Sequence, residues 1–326
     1  LTISRESGGI FISSSSAQSG IRFGHIRKME AIGKDKVLLT LKSGEKVELS
    51  GGSTDIGTSV REIIIEDESK GEIEFVWEDI DAVELMPAKS NRRSGFGDRL
   101  YGTLTTRRGE QFTGWVCWDM DEIFTGDILD GSEKNRKRKI EFGKIKAIER
   151  YSSSGAMVTL KSGEEVLLRG TNDVNDGNRG IVVSDPGFGQ AVVGWNEFER
   201  VEFSSPRREV AYDEFDGGRK LRGTVYTEDG SSYTGDIVWD ADEAYTWEIL
   251  DGEYHGVEYD IEFGLIRSIE KKSYRSCLVT VVDGREFRLR GSNDVDEDNK
   301  GIFVWADNGD KVEIVWEDFS RVEFRK

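Results

Sequence analysis

The stretches "LYGTLTTRRGEQFTGWVCWDMDE" (100–122) and "LRGTVYTEDGSSYTGDIVWDADE" (221–243) are two copies of one pattern. Trp118 and Trp239, Ile140 and Ile261, Gly170 and Gly291, and Trp195 and Trp316 are each 121 residues apart. Residues 99–205 and 220–326 align without a gap, so the chain carries an internal repeat. A third copy lies upstream. "IRFGHI" (21–26) matches "IEFGKI" (140–145) and "IEFGLI" (261–266), and "LTLKSGEKVELSG" (39–51) matches "VTLKSGEEVLLRG" (158–170).

Each long repeat divides again into halves, A and B. Within the last copy, Gly230, Tyr233, Asp240, Asp242 and Glu243 recur as Gly284, Phe287, Asp294, Asp296 and Glu297. The unit is a module of about 50–60 residues. The expected organisation is a partial A module at 1–30, B modules at 31–87, 151–205 and 273–326, and A modules at 98–150 and 219–272. Linkers at 88–97 and 206–218 follow Pro87 and Pro206, which stop the preceding strand. The short A-to-B junctions make each A–B pair one compact unit.

The pattern inside a module is β. Leu160, Val166 and Leu168 alternate around "KSGEE", a turn with Gly at its bend, and Asn308-Gly309 separates two strands. No stretch keeps helical period for three turns. "WEDI", "WNEF" and "WEDF" at 77, 195 and 316 read as single 3₁₀ turns before a closing strand.

"RGTVYTEDGSSYTGDIVWD" (222–240) resembles the first motif of Sm-like proteins, in which a strand, a turn and a second strand lead into an Asp. The resemblance covers about twenty residues per A module. It implies an all-β chain, a tandem array of small SH3-like or Sm-like β-barrels in a 121-residue A–B repeat. The family's RNA-contacting Asn after that Asp is missing, since Ala241, Asp242, Glu243 and Ala244 follow. RNA binding therefore does not carry over.

Composition agrees. The 326 residues carry a formal net charge of −18, which repels nucleic acid and anionic membranes. No apolar run approaches the ~18 residues that span a bilayer, so membrane insertion is not expected. Cys117 and Cys277 align with Val238 and Ala156 and read as small buried sites. His25 and His255 have no recurring Ser, Cys or Asp beside them, and no phosphate-binding Gly loop opens a helix. The chain reads as a non-enzyme.

Two residue sets remain as candidate sites. Acidic patterns recur at one module position: Asp119, Asp121 and Glu122; Asp173, Asn175 and Asp176; Asp240, Asp242 and Glu243; Asp294, Asp296 and Glu297. In the first B module the pattern has eroded to Asp55, Gly57 and Thr58. Carboxylates two apart on an extended backbone point the same way, and hard oxygen ligands suit calcium. The loop is no EF-hand, because with Asp294 as position 1 the sixth residue is Asn299 and the twelfth Trp305. The alternative is a tight turn in which Asp and Asn cap their own backbone. Among the tryptophans, the repeat-matched Trp77, Trp195, Trp316, Trp118 and Trp239 read as core. Trp115, Trp247 and Trp305 align with Asp236, Gly126 and Ser184 and read as an exposed aromatic platform for a glycan or a protein.

Two further stretches bear on assembly. The basic run "KNRKRK" (134–139) becomes "HGVEYD" in the sister copy and reads as a hairpin tip, solvated or docked on an acidic neighbouring subunit. The first A module lacks its opening strands. Either the start is trimmed, or a neighbouring subunit completes the module through a β-contact at Ile10, Phe11 and Ile12, giving head-to-tail homo-oligomers or a filament. The expected function is a structural or interaction protein, extracellular or in the cell envelope, with the cytoplasm left open. The alternative is a carbohydrate- or small-ligand-binding protein dependent on calcium.

Overall fold

The computed structural model describes residues 2–5, 20–51, 55–60, 62–67, 69–87, 95–206, 211–307 and 309–325. Ile10, Phe11, Ile12 and Asn308 lie outside them. The described residues form 27 β-strands and seven 3₁₀ turns, with no α-helix among them. The first repeat holds β1 (Thr2–Arg5), β2 (Ile26–Gly33), β3 (Lys36–Leu41), β4 (Lys46–Ser50), β5 (Ile63–Asp67), β6 (Gly71–Phe75) and β7 (Ala82–Glu84). The second holds β8 (Tyr101–Thr106), β9 (Gln111–Cys117), β10 (Ile128–Glu133), β11 (Arg136–Glu141), β12 (Ile145–Ser152), β13 (Gly155–Leu160), β14 (Glu165–Arg169), β15 (Ile181–Asp185), β16 (Gly189–Val193) and β17 (Phe198–Phe203). The third holds β18 (Arg222–Thr227), β19 (Ser232–Val238), β20 (Ile249–Tyr254), β21 (Val257–Glu262), β22 (Ile266–Ser273), β23 (Ser276–Val281), β24 (Glu286–Leu289), β25 (Ile302–Ala306), β26 (Lys311–Ile314) and β27 (Phe319–Phe324).

The chain is all-β, as its alternating pattern requires, but no sheet among the described residues closes into a barrel. The reason lies in the last strand of each repeat. β17 of the B half pairs on one side with β12, Val201 facing Ile148, and on the other with β8 of the A half, Val201 facing Leu104. β9 then pairs with β15. The order is β11-β10-β14-β13-β12-β17-β8-β9-β15-β16, so A and B build one sheet in which neither half is complete alone. The third repeat runs β24-β23-β22-β27-β18-β19-β25-β26, the same sequence of neighbours.

Local chemistry sets this order. A Cβ on Gly114 or Gly235 would stand 2.1 or 1.9 Å from the carbonyl oxygen of Ser184 or Trp305, so the repeated "TG" lets β9 and β19 approach β15 and β25. β12, β2 and β22 each shift register one step from their start, a bulge that recurs in all three copies and bends the sheet. The repeat-matched Trp77, Trp195 and Trp316 are buried, and their indole N–H groups donate to the carbonyls of Gly33, Ser152 and Tyr274, each at 3.0 Å. Trp77 opens a 3₁₀ turn as expected, whereas Trp195 and Trp316 open ordinary turns.

The chain divides into two compact units: Leu1–Ser90, Val210–Leu250 and Glu262–Lys326 in one, Asn91–Glu209 and Asp251–Ile261 in the other. These do not coincide with module boundaries. In the second unit β16 pairs with β21 over five residues, Gly189 facing Ile261 through Val193 facing Val257. A strand of the third repeat thereby extends the sheet of the second.

In the first unit the first module packs against residues from the third repeat. β1 lies beside β4, Thr2 facing Ser50, where β10 touches β14 through Ser132 and Arg169. In later repeats the Phe-Gly turn is capped by its own A half, with Gly143 N–H on Thr125 and Gly264 N–H on Thr246. In the first, the ring of Phe215 lies against Gly24, so closely that a Cβ there would stand 2.3 Å from it. Tyr245 and Trp247 join the core of Ile26, Val37, Leu39, Leu41, Val47 and Leu49. Trp247 is therefore no exposed platform: it is fully buried in the core of the first repeat.

Candidate functional site

The acidic residues sit where an A-half strand turns. After β9 and β19, Asp119 and Met120, and Asp240 and Ala241, take φ values of 50° and 65°, and 46° and 66°. Two successive left-handed residues make a tight turn, closed by Asp121 N–H on Trp118 O at 3.1 Å and Asp242 N–H on Trp239 O at 3.0 Å. Asp tolerates this region better than most side chains, because its carboxylate bonds nearby N–H groups.

Each turn is latched to the B-half loop of its own repeat. The indole N–H of Trp118 donates to Asp173 O and that of Trp239 to Asp294 O, both at 2.9 Å. Asp119 is buried and accepts from the Arg179 amide at 2.6 Å, from the Asn172 side chain and from the Arg179 guanidinium at 3.2 Å. Asp240 accepts from the Lys300 amide at 2.5 Å, from the Asn293 side chain and from Lys300 Nζ at 3.1 Å. This explains the recurrent "NDV" and Asn-basic-Gly of the B loops. Asn178 and Asn299 then accept from Gly180 and Gly301, whose φ values of 133° and 115° suit glycine.

The A-turn residues do converge. Oxygens of Asp119, Asp121 and Glu122 lie within 4.8 Å of one another, as do those of Asp240, Asp242 and Glu243, and either set could hold a metal ion. A basic side chain of the B loop already stands against each. The Arg179 guanidinium lies 2.6 Å from Asp121 and 3.2 Å from Asp119, and Lys300 Nζ lies 3.1 Å from Asp240. A charged fork on two carboxylates supplies what a cation would.

Burial and like charge favour protonation of the glutamate in each cluster. Burial, then the hydrogen bond and charge of Asp121 and the charges of Asp173 and Asp119, push Glu122 up to about 8. Burial, then the charges of Asp294, Asp242 and Asp240, push Glu243 up to about 11. Both shifts favour the protonated carboxyl.

The B-loop residues serve as turn formers and latches. Asp173 accepts from the Asp130 amide at 2.6 Å, Asn175 from Gly177 at 2.7 Å, and Asp296 from Asp298 at 3.1 Å. The Asp176 amide donates to Ser153 O at 2.8 Å, and Glu297 faces Arg275 at 3.4 Å. Asp294 is buried beside the second cluster.

Trp115 and Trp305 are half-buried. Trp115 faces Ser184 across β9 and β15, and Trp305 faces Asp236 across β25 and β19. These are the same cross-strand pair in the two repeats, with the tryptophan on opposite strands. Position-by-position alignment hides this. Each ring carries a cation, Arg99 at 5.3 Å over Trp115 and Lys311 at 5.0 Å over Trp305.

No protein family model, curated protein or solved structure matches this chain.

Proposed function

We propose that this is a non-enzymatic structural or interaction protein whose copies join head to tail by adding strands at sheet edges. The observation that carries this reading is the five-residue pairing of β16 with β21, which joins one repeat to the next. The counterparts of those strands are unused edges among the described residues: β11 is an outer strand of its sheet, and β6 pairs only with β5. Their charges match. In the register of the observed joint, Glu72 of β6 faces Lys139 of β11, and Glu74 faces Lys137. All four are exposed. Opposite charges on facing strands favour one register and one partner. The basic run is then a recognition strand, and its occupant is β6 of a second copy. The Asp- and Gly-rich, helix-poor composition is compatible with a place at or beyond the cell envelope.

The test is light scattering of the purified chain over a wide concentration range, at low and high salt. The expected result is concentration-dependent association that the double replacement Lys137→Glu and Lys139→Glu abolishes and added Glu72→Lys and Glu74→Lys restores. A chain that stays monomeric at millimolar concentration and low salt would overturn the proposal.

A further inference from the structure

In a chain of net charge −18, four arginines ring one cavity of about 340 Å³ in the third repeat: Arg219, Arg222, Arg267 and Arg325. Arg222 is held by Asp236 at 2.9 Å and by Asp307, and Arg219 by Asp216 at 3.2 Å. Arg267 and Arg325 are exposed and make no ion pair among the described residues. The fold does not require this ring. At the same places the second repeat carries Asp98, Tyr101, Lys146 and Ser204.

The first repeat shows what such a place can hold. Ile266, Val282 and Phe324 line the cavity, and their repeat partners are Ile26, Lys42 and Leu85. There the hydroxyl of Tyr212 donates to the carbonyls of Ile26 at 2.7 Å and Leu85 at 3.1 Å. Lys42 Nζ stands 3.2 Å from the centroid of the Tyr212 ring and also donates to the carbonyl of Phe215 at 3.3 Å. The segment so held, "YDEFDGG" (212–218), carries Asp213, Glu214 and Asp216 beside its aromatic anchors. A tyrosine ring enters between two strand ends with Lys42 over it, and the charges of Asp213 and Asp216 act on that lysine.

We propose that the arginine-ringed cavity of the third repeat is a docking site for a tyrosine-bearing acidic peptide segment of a partner protein. The tyrosine fills the space among Ile266, Val282 and Phe324, and the acids meet Arg267 and Arg325. Guanidinium forks suit carboxylates, and a local basic rim draws an acidic segment that the rest of the surface repels. This site is separate from the strand edges β6 and β11, so either proposal stands if the other fails.

The test uses a fluorescent peptide, AYDEFDGG, titrated onto the full-length chain and followed by anisotropy. The expected result is one saturable site, weakened at least tenfold by Arg267→Glu with Arg325→Glu. Both positions are exposed, and thermal melting checks that the variant is folded. The same peptide with Ala for Tyr should bind at least tenfold more weakly. Three outcomes would overturn the proposal: no binding to the native chain, binding unaffected by the arginine replacements (the peptide then displacing the chain's own segment in the first repeat), or equal binding of the Ala peptide, which would mean general attraction of anions.

Discussion

The two acidic turns share a backbone and differ in their counter-charge. At Asp119 an arginine reaches two carboxylates, Asp119 and Asp121. At Asp240 a lysine stands 3.1 Å from the Asp240 carboxylate. The glutamate that follows is pushed up to about 8 in the first case and to about 11 in the second. Burial is the first cause in both. Glu243 is the more deeply buried of the two, and Asp294 adds its charge there. One sequence motif thus gives two electrostatic environments, and the difference lies first in how deeply the glutamate is buried.

The largest expected effect tests what the turns share. Asp119→Ala and Asp240→Ala each remove a buried acceptor of a backbone amide, an Asn side chain and a cation. Each should destabilise the fold by about 3 kcal/mol in urea unfolding. A loss below about 0.5 kcal/mol in either would mean that the strands alone hold that turn.

Next come the glutamates, where the turns should part. A carboxyl whose pKa rises on folding contributes its full stability below the ordinary value of 4.5. It loses that contribution as pH rises toward the folded value, because the unfolded chain ionises first. Glu243→Gln, neutral at every pH, should therefore be near-neutral at pH 4 and stabilise by on the order of 2 kcal/mol at pH 8, with the gain still growing to pH 10. Glu122→Gln should gain about 1 kcal/mol, less because solvent reaches that side chain, and its gain should level off near pH 8. Identical pH profiles for the two variants would remove the distinction drawn between the more open and the more buried glutamate.

The smallest effect concerns calcium. With Arg179 and Lys300 against the carboxylates, millimolar calcium should leave the melting temperature of the native chain unchanged. In Arg179→Gln with Lys300→Gln it should raise it by a degree or more, on the order of 1 kcal/mol of binding linkage. A rise in the native chain would make the acidic turns metal ligands after all.

The amino-acid order by itself determined the repeat, the all-β class, the hairpins and the buried tryptophans of each copy. These depend on contacts a few residues apart or on positions that recur. The B loops were legible as turns for the same reason, since Asn175 and Asp296 accept from amides two residues on, whereas Asp119 and Asp240 accept from a loop sixty residues away. Four things were decided only by the tertiary structure. The A and B halves share one sheet, because β17 offers two edges and the pairing strand, β8, lies almost a hundred residues earlier. Trp247 is buried because a segment of the third repeat packs into the core of the first, which no comparison of Trp247 with Gly126 could show. The counter-charges at the acidic turns come from the far end of the B loop, and the arginine ring gathers residues between Arg219 and Arg325. Alternation and turn chemistry act locally, whereas edge pairing, void filling and charge compensation depend on which distant groups folding brings within a few ångströms.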